Sequence, residues 1–274
     1  MTIDLDAYLM RIGHAGARAP TLNTLRAILA RHTEAIAFEN LNPLLKWPVR
    51  LDLESLQRKM VQGGRGGYCY EQNILLSHAL QALGYSVAGL AARVLWNAAV
   101  AGAVPPRTHM LLRVDLDGHP WLVDAGFGVV TPTGPLRLKA DEEQATPHEA
   151  FRLLEDRDEF VTQAKIRGEW RSLYRFGLQE QLLPDYELAN WYVSTHPESR
   201  FVNGLMVARP APGRRYTLLN NEFTVHHLNG GTEQRMLTSA AEIRVLLEGE
   251  FQLTLPDTPE LDSALRRLIA PARW

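Results

Sequence analysis

The sequence predicts an α+β protein built in three lobes. Three observations carry that reading. Apolar residues recur at helical spacing through the first third. After Gly84 the pattern changes to short apolar or alternating runs separated by turn residues. The last quarter mixes strand-like runs with one amphipathic segment.

The helical third comes first. Leu5, Tyr8, Leu9 and Ile12 share one face, and LNTLRAILARHTEAI follows with Thr21 as its cap. Leu53 to Val61 forms a third helix, capped by Asp52 and stopped by Gly63 and Gly64. The run from Asn73 places Leu76, Leu80 and Leu83 on one face and ends at Gly84. Beyond it, YSVAGLAARVLW, HMLLRVDL and PWLVDAGFG read as strands. FRLLEDRDEFVTQAKIRGEWRSLYRFG reads as a meander turning at EDRDE and RGE. This middle lobe is antiparallel and barrel-like. From Glu187 a short helix leads into an exposed crossing segment, then RRYTLLNNEFTVHHL and SAAEIRVLLEGEF form a smaller α+β lobe. The expected division is 1–88, 89–198 and 199–274.

Composition limits the function. A net charge of −2 over 274 residues gives no field for nucleic acid or an anionic membrane. No run of eighteen apolar residues is present, and MTIDLDAYLMRIG has no signal-like apolar core, so the expectation is a soluble, cytoplasmic protein. The oligomeric state is left open, with a homodimer among the readings.

The single cysteine, Cys69 in RGGYCYEQN, excludes an internal disulfide and zinc sites of paired cysteines. Its place is informative. It opens a helix, where backbone N–H groups and the helix dipole stabilise thiolate over thiol. Gly66 and Gly67 beside it leave room for a substrate to approach. A cysteine used only for packing belongs further along the apolar stripe.

A nucleophilic thiolate calls for a histidine and an acid that orients it. Of nine histidines, His14, His32 and His148 sit in polar segments and read as surface residues. His78 lies too far along the nucleophile's own helix, and His196 precedes a proline in an exposed segment. His226 and His227 point to opposite faces of a strand, which argues against a shared metal. His109 differs, because it leads directly into a core strand. Asp124 closes the next apolar strand, where a carboxylate needs a donor. With a hairpin at Asp117-Gly118, His109 and Asp124 fall at the same open end, while Asp115 and Asp117 are ordinary turn residues. Glu39, an acid in an apolar stretch, is expected to pair with Arg65 beside the nucleophile. GGRGG lacks phosphate-loop spacing. Trp47, Trp121, Trp170 and Trp191 read as core or interface residues.

RGGYCYEQN, FENL at 38–41, ARVLW at 92–96, THM at 108–110, VDAGFG at 123–128 and STHPESRF together resemble the arylamine N-acetyltransferases. The resemblance runs to about residue 205 and more loosely beyond, with Ala125 where the family often has valine. It implies a helical bundle, a β-barrel and an α/β lid, with a cysteine-protease-like triad core. Cys69 then resembles the acetyl-accepting nucleophile, His109 its base and Asp124 the orienting acid. Trp96, Thr108, Phe127, Gly128 and Phe201 match positions around the CoA cleft, and Phe38, Val94 and Phe127 match walls of the acceptor pocket. Acetyl-CoA is the implied donor, aromatic amines or hydrazines the acceptors, with no metal and a role in xenobiotic metabolism. The competing reading keeps the triad for hydrolysis or transglutaminase-like amide chemistry.

Overall fold

Helices start where the sequence supplies a side-chain acceptor for an orphan N–H. In the computed structural model, which describes residues 2–97 and 104–269, Asp4 caps α1 (Leu5–Arg11) and Thr21 caps α2 (Leu22–Ala35). A two-residue strand, β1 (Phe38–Glu39), and the single turn α3 (Leu41–Leu44) follow. Asp52 Oδ1 accepts from Ser55 N at 2.9 Å to open α4 (Leu53–Leu56). The third expected helix does not continue as one regular element. From Gln57 to Gln62 it widens into a π-helix and then stops at Gly63. Apolar spacing carries no sign of such a one-residue insertion. α5 (Cys69–Ala82) begins at the cysteine itself and is buried on most sides, as the central helix of its lobe.

The barrel comes next: β2 (Ser86–Val94), β3 (Arg107–Leu116), β4 (His119–Val123), β5 (Leu136–Arg137), β6 (Gln144–Ala145), β7 (Ala150–Asp156), β8 (Glu159–Ile166) and β9 (Glu169–Phe176). These eight strands pair antiparallel in the order β5-β4-β3-β2-β9-β8-β7-β6. The open edges nearly meet. The Gln144 side chain on β6 accepts from Arg137 N at 2.6 Å and donates to Arg137 O at 2.9 Å on β5. The hairpin between β3 and β4 turns at Asp117 and Gly118, both at positive φ (51° and 74°), in register Leu116↔His119.

α6 (Leu183–Thr195) starts four residues before the expected Glu187, because Pro184 fits its first turn and Asp185 accepts from Leu182 N at 2.8 Å. After the turn α7 (Arg200–Asn203), the strands β10 (Met206–Ala211), β11 (Arg214–Leu219), β12 (Glu222–His227) and β13 (Thr232–Met236) form a meander. It is covered by α8 (Ala240–Gly249) and α9 (Pro259–Ile269). β1 joins this sheet beside β10, with Phe38 opposite Ala208. A segment of the first lobe thus becomes the edge strand of the last sheet. Among the described residues, no helix is long and apolar enough to cross a membrane.

His32 is not a surface residue. It is fully buried, bonded to Tyr8 Oη at 2.8 Å through Nδ1 and to Gln72 Oε1 at 2.7 Å through Nε2. Burial lowers its pKa to about 4, so it is neutral in the folded protein. His148 is half-buried and bonds Thr133 Oγ1 and the carbonyls of Ala211 and Arg214. Trp191, expected in the core or at an interface, is not a core residue: it stands 67% exposed on α6.

Candidate active site

Cys69 is the first residue of α5, at the barrel's helical end. Its thiol is buried and lies 3.7 Å from the carbonyl oxygen of Thr108, a weak S–H donor contact. Glu71, two residues on, closes the helix start by accepting from Tyr68 N at 3.2 Å. Below it, Glu71 also meets Lys59 Nζ at 2.6 Å, brought there by the π-helical segment.

His109 enters from β3, opposite Ala92 of β2. Its Nε2 donates to Asp124 Oδ2 at 2.8 Å, and both side chains are buried. That bond leaves Nδ1 for the cysteine side of the ring. Burial alone would lower the imidazole's pKa, but the Asp124 charge, its hydrogen bond and the Cys69 contact raise it to about 10. Burial would raise the Asp124 pKa, yet His109, Gly126 N and Asn73 hold it below the ordinary carboxylate range. The pair therefore rests as imidazolium and carboxylate.

The carboxylate is held from three directions. Its Oδ1 accepts from Gly126 N at 2.8 Å and from Asn73 Nδ2 at 3.1 Å. Asn73 also donates to Met110 O at 2.7 Å and accepts from Ala125 N at 2.9 Å, tying α5 to both barrel strands. Sequence reasoning gave Asn73 no role. The available signal was its spacing, one helical turn after Cys69 and so on the same helix face. Gly126 has a steric reason to be glycine: a Cβ there would lie 2.5 Å from Cys69 Cα. A buried phenol, Tyr174 on β9, packs against the His109 ring with centroids 5.0 Å apart, and sequence reasoning missed it too.

The other expected positions fall into groups. Phe127 sits edge-on to His109 at 5.4 Å and 5.2 Å from Tyr174. Phe38 meets Phe201 at 6.2 Å, Phe201 meets Tyr68 at 5.4 Å, and Gly128 passes against the Phe38 ring. Thr108 offers the carbonyl beside the thiol. Val94 lies opposite Tyr174 across the β2–β9 register, and Trp96 packs on the barrel core.

One expectation fails in detail. Gly66 and Gly67 make room for the protein itself and not for a substrate: a Cβ at 66 would lie 2.0 Å from Ala37 O, and one at 67 would strike Glu71. The space they leave is taken by the chain around β1. Phe38 bridges Gly67, and Glu39 N donates to Gly67 O at 3.1 Å. Glu39 and Arg65 do meet, with Oε1 receiving Arg65 Nε at 3.0 Å and Nη2 at 2.7 Å. Lys59 Nζ adds a second positive charge at 3.7 Å from Glu39. Burial opposes ionisation of Glu39, but Arg65 and Lys59 bring its pKa down to about 2.

This pair yields a stability prediction. Arg65→Met leaves the buried Glu39 charge with the longer Lys59 contact and the Leu41 N–H at 2.6 Å but no close cation, at a cost of about 3–5 kcal/mol. Glu39→Leu strands Arg65 similarly, and the double variant is markedly less destabilised than the two singles added. Urea titrations of all four proteins measure this coupling, and strict additivity would refute it.

Comparison with known proteins establishes the family and the fold. A family model described as N-acetyltransferase matches residues 21–260. The arylamine N-acetyltransferase of Mycolicibacterium smegmatis is 43% identical, covering 97% of this chain and 98% of the relative. The chain belongs to the arylamine N-acetyltransferase family. A solved structure of the Mycobacterium marinum arylamine N-acetyltransferase superposes with a TM-score of 0.94 at 41% identity, covering 97% of this chain and 100% of that one. The same M. marinum enzyme in complex with CoA gives a TM-score of 0.93 at 42% identity, covering 97% and 99%. The family's fold is therefore present across nearly the whole chain, including the C-terminal sheet beyond the sequence motifs.

Proposed function

We propose that the protein transfers the acetyl group of acetyl-CoA to the nitrogen of arylamines, arylhydrazines or N-hydroxyarylamines through an acetyl-Cys69 intermediate. The single observation that carries this reading is the His109–Asp124 ion pair set against the buried thiol at the start of α5. Membership in the family and the CoA complex of the M. marinum relative support the donor. The nucleophile comes from region 1–88, His109 and Asp124 from 89–198, and the lid from 199–274.

In the first half-reaction Cys69 thiolate attacks the acetyl carbonyl carbon, an Sγ–C bond forms, and the C–S bond to CoA breaks. The departing thiolate takes the proton from His109 Nδ1. The amine nitrogen then attacks acetyl-Cys69 and gives a proton back to His109, and Cys69 leaves as thiolate. Asp124 stabilises each imidazolium and keeps Nδ1 facing the sulfur. Phe38, Phe127 and Phe201 form an apolar wall that suits an aromatic acceptor and slows water.

Mixing enzyme with excess acetyl-CoA tests this. The expected trace is a burst of about one CoA per active site, then little release until an arylamine is added. Steady release without amine would favour the hydrolase alternative, and intersecting lines in a two-substrate plot would indicate a ternary complex.

A further inference from the structure

The turn that carries Phe127 is pinned at both ends. At one end Gly126 N donates to Asp124 Oδ1 at 2.8 Å. At the other, Thr131 closes back on Gly128: its Oγ1 accepts from Gly128 N at 2.7 Å and donates to Gly128 O at 3.0 Å. Gly128 holds a φ of 90° and faces the Phe38 ring, where a Cβ would lie 3.4 Å away. This short segment thus sets Phe127 edge-on to His109 and Gly128 against Phe38, two parts of the apolar wall.

The far end of this turn is not fixed by the barrel alone. Arg215 reaches it from β11 of the C-terminal sheet, with only 2% of its side chain exposed. Its Nη2 donates to Thr131 O at 2.9 Å. Nε and Nη2 also grip the Glu149 carboxylate just before β7, with Nε 2.9 Å from both oxygens. Burial opposes ionisation of Glu149, but Arg215 holds its pKa below the ordinary carboxylate range. His148 ties the same part of the sheet to the barrel, through Thr133 Oγ1 at 3.2 Å and Ala211 O at 3.0 Å. The bond to Thr131 is not needed for that tie, and a buried cation is costly to keep. We infer that Arg215 is a positioning residue for the acceptor: through Thr131 and Gly128 it fixes Phe127 where an aromatic amine must pack. The inference rests on transfer from acetyl-Cys69 to such an amine. Without the guanidinium, Thr131 O loses its donor, the turn shifts, and the wall loses its fit to a ring. An acceptor too small to touch the wall does not feel the change.

Steady-state rates of the full chain with aniline and with hydrazine, at saturating acetyl-CoA, separate positioning from simple support. Hydrazine has no ring to pack on Phe127. Arg215→Met lowers kcat/KM for aniline about tenfold, chiefly through KM, and the aniline-to-hydrazine ratio falls with it. Thr131→Val, which keeps the shape and removes the hydroxyl on Gly128, lowers that ratio in the same way. The double variant falls no further than the poorer single, because both changes act along one path. A residue that only fastened the sheet to the barrel would lower the melting temperature and leave the ratio at its parent value. That result overturns the inference, as does full additivity of the two losses. If Arg215→Met does not fold, Thr131→Val decides, and a parent ratio in it is equally fatal. A parent enzyme that acetylates neither amine would refute transfer itself, and this inference with it.

Discussion

Cys69→Ser removes acetyl transfer and leaves the melting temperature close to that of the parent. The folding half of this result follows from the packing. Cys69 is buried, and its sulfur meets Thr108 O at 3.7 Å and the His109 ring, contacts that a hydroxyl can also make. The hydroxyl is about the size of the thiol, so no cavity opens. The catalytic half follows from nucleophilicity. Sulfur is the stronger nucleophile toward a thioester, whereas an alcohol must surrender its proton in the attack to a ring that already carries one. His109 is held protonated up to about pH 10, so it offers no free base to a serine at neutral pH. The loss expected is at least about 10⁴-fold in kcat/KM. Mass spectrometry of the tryptic peptide 66–93 after acetyl-CoA treatment reads the same step directly. The parent gains one acetyl group and the variant gains none. More than a few per cent residual transfer by a cysteine-free preparation would end the covalent reading.

The parts of this site that were legible in the sequence are the ones where polarity contradicts its surroundings. His109 leading a core strand, Asp124 ending one and Glu39 inside FENL each stand out because an unpaired polar group in an apolar context is costly. The hairpin between His109 and Asp124 could be placed because Asp117-Gly118 dictates its turn, and the turn dictates the register. What escaped depends on partners distant in sequence. Two residues, Phe38 and Glu39, give no strand signal, and only the pairing with β10, far along the chain, makes them one. His32 looked exposed because its neighbours are polar, while Tyr8 and Gln72, which bury it, lie 24 and 40 residues away. Asn73 has the same explanation: its bonds to Met110 O, Asp124 and Ala125 N all cross between lobes. Sequence spacing predicts helices and hairpins well because both are local. It cannot see an amide that works as a rivet between them.

Asp124→Asn is the sharper test, because it preserves shape and removes only charge and one acceptor. Oδ1 of the native carboxylate accepts from Gly126 N and Asn73 Nδ2, so the amide oxygen of the substituted side chain takes that side. The amide NH₂ then faces His109 Nε2, which must become an acceptor. The ring's proton moves to Nδ1, and a neutral ring of that tautomer cannot take a proton from the acceptor amine. A loss of roughly 10⁴-fold in kcat is expected. The pH dependence moves as well. In the parent the Asp124 charge overcomes burial and holds the imidazolium up to about pH 10. Without that charge burial dominates, so the alkaline limb of the rate profile falls from near pH 10 to below the ordinary histidine value of about 6.5. Stability follows the same sign. A raised histidine pKa stabilises the fold fully below about pH 6.5, and that contribution is lost as pH rises through about 10. The variant lacks it, so parent and variant differ most in mildly acidic buffer and converge in alkaline buffer. Asp115→Asn and Asp117→Asn provide the controls. Asp115, itself exposed, pairs with the half-buried Arg113, and Asp117 sits in the turn at a φ of 51° that asparagine adopts readily. Both should stay within about twofold of the parent rate, since surface changes of this kind carry only tenths of a kcal/mol. An Asp117→Asn variant as impaired as Asp124→Asn would mean that the carboxylate on the imidazole is not the one doing the chemistry.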